Sequence, residues 1–300
     1  MLKIAHNQHY VLPLPEGHRF PMDKYDLLPQ QLLHEGTINV ENLFEPIEVE
    51  RKWILTTHTH EYLDKLDKLN LSKDEIRRNG FPLTTELIQR EKMILDGTIK
   101  CTEFALKYGV SMNIAGGTHH SYSNRGEGFC ILNDQAVAAN YLLDQKKAVK
   151  ILIIDLDVHQ GNGTAEIFAK EDRVFTFSMH GAKNYPLKKE RSDLDIELPD
   201  GIQDKDYLYL MEKHVSEVIQ IFEPDFIFYQ SGVDVIASDK LGRLGLSKEG
   251  CRKRDEFVLK TCKEMQVPVV VCMGGGYSKD IKEIVDCHAN TYRLAQEIYF

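Results

Sequence analysis

The stretch KILIIDLDVHQGNGT, residues 150–164, opens on a run of apolar side chains and closes on two acids, an imidazole and a glycine-bearing loop. An unbroken apolar run of this length, bounded by turn residues, reads as a strand buried on both faces of a parallel sheet. Asp155, Asp157 and His159 alternate, so an extended chain would point all three to one side. Two ionised carboxylates buried there cost several kcal/mol each unless compensated, and a bound cation is the simplest compensation.

The pattern repeats outward from this run. Short apolar stretches occur at KIAHN 3–7, VSMNIAGG 110–117, RVFTFSMH 173–180, PDFIFYQSGVD 224–234 and PVVVCMGGGY 268–277. Between them, helical periodicity covers Thr84 to Tyr108, Asn133 to Gln145, Tyr207 to Phe222 and Lys248 to Met265. Thr84 or Thr85 offers an N-cap for the first of these, and Gly109 a stop. Buried strands alternating with helices predict an α/β fold: a single open, mainly parallel sheet with helices on both faces, forming one domain over residues 1–300. The first 50 residues, punctuated by five prolines, read as irregular beyond the first strand.

Composition narrows the function class. Hydrophobic residues make up 42% and charged residues 28%, an ordinary globular balance that excludes a disordered or fibrous chain. The net charge of −9 and the absence of a Lys/Arg run argue against nucleic-acid binding. No apolar run approaches the ~18 residues of a membrane span. The N-terminus MLKIAHNQHY has no signal-type core, so the reading is cytoplasmic. Six cysteines at 101, 130, 251, 262, 272 and 287 form no CxxC pair and read as free thiols. A metal would then be held by His and carboxylate.

Four strands end in reactive groups: GGTHH, DLDVH, SGVD and GGGY. Ligands of open α/β sheets bind beyond the carboxyl ends of the strands, so the four groups should converge on one crevice. Asp157 and His159 can reach one metal, with Asp234 as the third ligand. That set leaves a coordination position open, as in a catalytic zinc site, and ferrous iron suits it too. His119 and His120 suit proton transfer to and from water, with Asp155 and Asn162 as orienting partners. Tyr277 can donate to a developing oxyanion, a contribution of ~3–4 kcal/mol in comparable sites. Taken alone, each motif has a plainer reading: an Asp–His pair closing a turn, a packed histidine pair, a tyrosine over a glycine turn.

Together GGTHH, GFCILND (128–134), DLDVHQGNGT (155–164), SMH (178–180), SGVD and GGGY resemble the zinc-dependent histone deacetylase family of the arginase/deacetylase fold, across nearly the whole chain. SDKLGRLGLSKEGCRKRDE at 238–256 looks most like the class IV branch and its short bacterial relatives. The resemblance implies zinc on Asp157, His159 and Asp234, and His120 as general base then acid, oriented by Asn162. It further implies His119 paired to Asp155, and Tyr277 polarising the amide carbonyl. Gly128, Phe129 and Tyr185 would line an acyl-lysine tunnel, with Cys130 packed beside it. A potassium ion would use Asp155, the Ser178 hydroxyl and backbone oxygens including that of Met179. Asn162 stands where class I members carry Asp, and RRNGFPL at 77–83 lacks the acidic rim residue of that class.

The activity implied is metal-dependent hydrolysis of acetyl or longer acyl groups from lysine in proteins or peptides. Alternatives are an amidohydrolase of small acylated amines such as acetylpolyamines, and a catalytically silent binder of acyl-lysine. The net charge further suggests an acidic rim attracting basic substrates. His58 and His60 read as the exposed start of a helix, residues 188–191 as a solvated loop, and His6, His9 and His18 as near the cleft rim.

Overall fold

The computed structural model describes residues 1–300. Eight strands form one sheet: β1 (Lys3–Ala5), β2 (Leu43–Phe44), β3 (Val110–Asn113), β4 (Ile151–Asp155), β5 (Val174–Gly181), β6 (Leu194–Leu198), β7 (Phe226–Gln230) and β8 (Val269–Cys272). Their order is β2-β1-β3-β8-β7-β4-β5-β6, and every pairing is parallel. β3, β4, β7 and β8 are buried along their whole length, as unbroken apolar runs in a parallel sheet demand. The last strand in the chain, β8, lies between β3 and β7 and joins the two halves of the sheet.

Ten helices accompany it: α1 (Lys24–His34), α2 (Arg51–Ile54), α3 (His60–Asp67), α4 (Lys73–Asn79), α5 (Thr85–Tyr108), α6 (Asp134–Asp144), α7 (Asn162–Phe168), α8 (Asp204–Phe222), α9 (Lys248–Glu264) and α10 (Ile281–Tyr299). Side-chain caps set the starts: Thr84 accepts from Leu87 N for α5, Asn133 from Ala136 N for α6 and Ser247 from Gly250 N for α9. Gly109, at φ 87°, ends α5 in the left-handed region. α5 packs with α6 against β3, while α1, α10, α9 and α8 pack in sequence. All six cysteines are free and buried. No helix is long and apolar enough to cross a membrane.

Several local expectations need correction. The first 50 residues are not irregular throughout: α1 forms despite the internal Pro29, because Tyr25, Leu28 and Leu32 are buried and the helix packs on α10. β2 and the edge strand β6 are further elements the apolar-run criterion passes over, β2 for its length and β6 because acids interrupt it. α10 is the amphipathic helix closing the chain. Asp155 is the last residue of β4, so Asp157 and His159 lie in the turn beyond it rather than along an extended strand.

Candidate metal and catalytic site

The four reactive strand ends belong to β3, β8, β7 and β4, which are consecutive in the sheet. They therefore meet at one carboxyl edge. Asp157 and His159 leave β4, Asp234 follows β7, His119 and His120 follow β3, and Tyr277 follows β8. Asp157, His159 and Asp234 are buried, and one ligand atom from each lies within 4.8 Å of the others. His159 Nδ1 stands 3.1 Å from Asp157 Oδ1 and 3.2 Å from Asp234 Oδ2.

Backbone donors hold the carboxylates in place. Asp157 accepts from His159 N at 3.0 Å through Oδ1 and from Gly275 N at 2.9 Å through Oδ2. Asp234 Oδ1 accepts from Val158 N at 3.0 Å, whereas Asp234 Oδ2 has no hydrogen-bond partner. A Cβ on Gly275 would stand 2.0 Å from Asp234 Oδ2 and 2.8 Å from Asp157 Oδ2, so only glycine leaves the cradle clear. Burial, then the neighbouring Asp157 charge, pushes the Asp234 carboxyl up to about 7. Burial works against a charged His159, but its hydrogen bond to Asp157 and its close approach to the Asp234 carboxylate outweigh it and carry the imidazole up to about 10. The pair of buried acids thus draws positive charge to this point. Two carboxylates, one imidazole and an orphaned oxygen fit a divalent cation.

The histidine pair is split by its partners. His119 Nδ1 lies 2.7 Å from Asp155 Oδ2, and His120 Nδ1 lies 2.6 Å from Asn162 Oδ1. Burial opposes a charged His119, yet the charges of Asp155 and then Asp157 raise it above the ordinary range. Burial, followed by the neighbouring His119 and His159, holds His120 well below it. Asn162 Nδ2 donates to Tyr122 Oη at 3.0 Å, which turns Asn162 Oδ1 toward His120. His120 is accordingly a neutral imidazole with its hydrogen on Nδ1, leaving Nε2 as an acceptor.

Tyr122 in turn donates to Glu190 Oε1 at 3.1 Å. Glu190 is half-buried, so the 188–191 segment is not simply solvated. Neither Tyr122 nor Glu190 is marked by any motif; only the fold brings them under Asn162.

An outer funnel of about 360 Å³ narrows to an inner cavity of about 40 Å³, and His120, Gly128, Phe129, His159 and Tyr277 line both. Phe129 adopts φ 67° and is pinned by its N–H to Asn79 O at 2.6 Å, beside Gly128 N to Arg78 O at 3.1 Å. Its ring packs against Phe20, Phe81 and Tyr277. Gly128 is required as well: its φ is 54°, and a Cβ would stand 2.7 Å from His120 Cδ2. Tyr185 meets His120 edge-on, centroids 5.0 Å apart, and its hydroxyl donates to Glu127 at 2.9 Å. Burial pushes the Tyr277 phenol well above its ordinary pKa, so it remains a donor. Its ring centroid is 6.5 Å from that of His159.

Asp155 and Ser178 are register partners across β4 and β5, with Met179 next along β5. Asp155 Oδ1 accepts from Asp157 N at 3.1 Å, and Ser178 Oγ lies 3.0 Å from His180 Nδ1. His18 packs edge-on to Phe129 and is stacked on Phe81, bonded through Nε2 to Gly80 O at 2.9 Å, and lines neither the funnel nor the inner cavity.

Sequence reading missed three buried groups beside the site. Lys24 donates to Gly274 O at 3.1 Å, and Arg90 lines the inner cavity. Arg254 donates to Leu156 O at 3.1 Å and Gly232 O at 2.6 Å, tying the Asp157 and Asp234 loops together. His58 is corrected outright. It is 2% exposed rather than at the surface, with Nδ1 donating to Tyr122 O at 3.0 Å and Nε2 accepting from Asn133 N at 3.0 Å. The expected acidic rim is also overturned: Arg19, Arg78, Lys183, Lys240 and Arg243 line the funnel, and no acid does.

The histone deacetylase domain pattern matches residues 18–292. The chain is 41% identical over 296 residues to an uncharacterised protein of Picosynechococcus sp., covering 99% of each. It is 27% identical to histone deacetylase 2 of Arabidopsis thaliana over 89% of this chain and 72% of that one. A crystal structure of an HDAC homologue complexed with SAHA matches with a TM-score of 0.86 at 25% identity, over 99% of this chain and 84% of that chain. The all-parallel sheet is therefore that of the arginase/deacetylase fold, whose deacetylases imply a divalent metal at such an acid–imidazole cluster. Since the domain pattern spans nearly the whole sequence, the chain belongs to the histone deacetylase family.

Proposed function

We propose that this protein hydrolyses short N-acyl groups, acetyl first, from the side-chain amine of lysine, with zinc held by Asp157, His159 and Asp234. The observation that carries the reading is the His120–Asn162 hydrogen bond of 2.6 Å. It fixes the proton on Nδ1 and leaves Nε2 unprotonated, free to accept, in the cavity that His159 and Tyr277 also line.

When bound, the ion supplies Lewis-acid polarisation of the amide carbonyl and acidifies a water. His120 Nε2 takes a proton from the attacking water. The Tyr277 hydroxyl donates to the carbonyl oxygen as negative charge gathers there. His120 then returns its proton to the departing lysine nitrogen, the C–N bond breaks, and a carboxylate and a free amine leave. His119, charged through Asp155, adds a positive field beside the developing oxyanion. A potassium ion beside the site, on Asp155, Ser178 and the Met179 backbone oxygen, belongs to the same reading.

Cavity size favours a short acyl group. At ~10–15 Å³ of such space per water, an inner cavity of about 40 Å³ suits two carbons better than a long chain. The wider funnel suits a lysine carried on a larger body. Zinc-loaded protein is expected to release acetate from acetyl-lysine peptides and to lose rate as the acyl chain lengthens. His120→Ala and Tyr277→Phe should each lower kcat by ~10²-fold or more. Metal-replete protein that releases no carboxylate from any acyl-lysine peptide would sink the reading.

A further inference from the structure

The chain carries 46 acidic against 37 basic residues, yet the funnel wall inverts that balance. Arg19, Arg78, Lys183, Lys240 and Arg243 line it, all exposed, and no carboxylate does. The five come from four passages of chain: the N-terminal loop, the end of α4, the loop after β5 and, for both Lys240 and Arg243, the loop after β7. Lys183 and Arg243 share Asp200 at 3.7 Å and 2.9 Å. Arg19, Arg78 and Lys240 make no ion pair; Arg19 lies over the Phe129 ring at 5.2 Å.

Two further acids beside the funnel are already engaged. Glu127 takes Arg125 at 2.9 Å and the Tyr185 hydroxyl. Asp239 accepts from the backbone N–H groups of Leu241, Gly242 and Tyr277. Like charges gathered round a concave mouth repel one another and focus their field on whatever enters. An acid-rich chain that leaves three of them unpaired there presents a receptor for negative charge.

We propose that the funnel selects acyl-lysine held in an acidic segment, with Asp or Glu side chains flanking the reacting lysine bound by Arg19, Arg78 and Lys240. This rests on the hydrolase reading above and narrows its substrate class. Acetylpolyamines are disfavoured, because their remaining ammonium groups would face five cations. A free N-acetyl amino acid carries one carboxylate of the same chemistry and serves as the competing source.

The test uses metal-loaded protein and three fluorescent acetyl-lysine peptides that differ only in acidic, neutral or basic flanks. Binding is read by anisotropy and turnover by kcat/KM, at low and high salt. The expected order is acidic over neutral over basic, with about a 10-fold step at low salt that shrinks as salt is raised. In the Arg78→Gln/Lys240→Gln variant the acidic-to-basic ratio should fall toward one. Equal binding of the three peptides, or preference for the basic one, overturns the proposal while leaving hydrolysis intact. Charge-ordered binding without turnover of any peptide supports the funnel and sinks the hydrolase reading instead. Competition by free N-acetyl-lysine as strong as by the acidic peptide overturns the peptide assignment.

Discussion

His58 shows what one buried imidazole does to the pH response of the molecule. Both ring nitrogens are committed, Nδ1 as a donor to Tyr122 O and Nε2 as an acceptor from Asn133 N, so the neutral tautomer is built in. Burial lowers its pKa from 6.5 to about 4. The unfolded chain therefore binds a proton between those values that the folded chain refuses, and folding stability falls as pH drops through this window. The loss approaches roughly 3 kcal/mol by pH 4. Denaturant titrations of the native protein and of His58→Gln should show the variant less stable at pH 7 but flatter between pH 6.5 and 4. Parallel curves would remove His58 as the cause. An i, i+2 histidine pair before a charged helix gave no hint of this, because the partners Tyr122 and Asn133 are distant in sequence. The cluster of Asp157, His159 and Asp234 was legible because each follows an apolar run, and buried acids in such a place call for a cation.

At the scale of elements, α9 acts on the site without touching its cavity. Its Arg254 is fully buried and donates to Asp255 on the same helix at 2.8 Å, as well as to the carbonyls of Leu156 and Gly232. One guanidinium thereby fastens the loop after β4 to the loop after β7, and with them Asp157 to Asp234. Arg254→Met would leave Asp255 as an uncompensated buried charge and the carbonyls of Leu156 and Gly232 short of a donor. A loss of about 3–5 kcal/mol is expected in urea unfolding, together with weaker zinc binding by competition with a chromogenic chelator. A loss below ~1 kcal/mol with unchanged zinc affinity would show the clamp to be idle. The helix itself was legible from its periodicity. Arg254 was not, since its position inside a run of charged residues reads as solvent-facing. α1 escaped notice for the opposite reason: Pro29 argues against a helix locally, and only burial against α10 restores it.

Across the whole molecule, the central strands and their order of chemistry could be inferred from sequence, whereas the funnel's charge could not. Arg19, Arg78, Lys183, Lys240 and Arg243 are scattered between positions 19 and 243, and net charge predicts the wrong sign for the place where they meet. The buried Asp157–Asp234 pair also predicts that a bound cation would add to global stability. Removing the ion by dialysis against a chelator should lower the unfolding temperature by several degrees, and zinc should restore it in a concentration-dependent way. An unfolding temperature indifferent to chelator and zinc would mean that the cluster holds no ion. The position of β8 carries a last implication. Without that strand, β2-β1-β3 and β7-β4-β5-β6 would share no pairing, and Asp157 would lack the Gly275 amide that steadies it. That one strand is thus the keystone of the sheet, the sole pairing between two otherwise unjoined rafts.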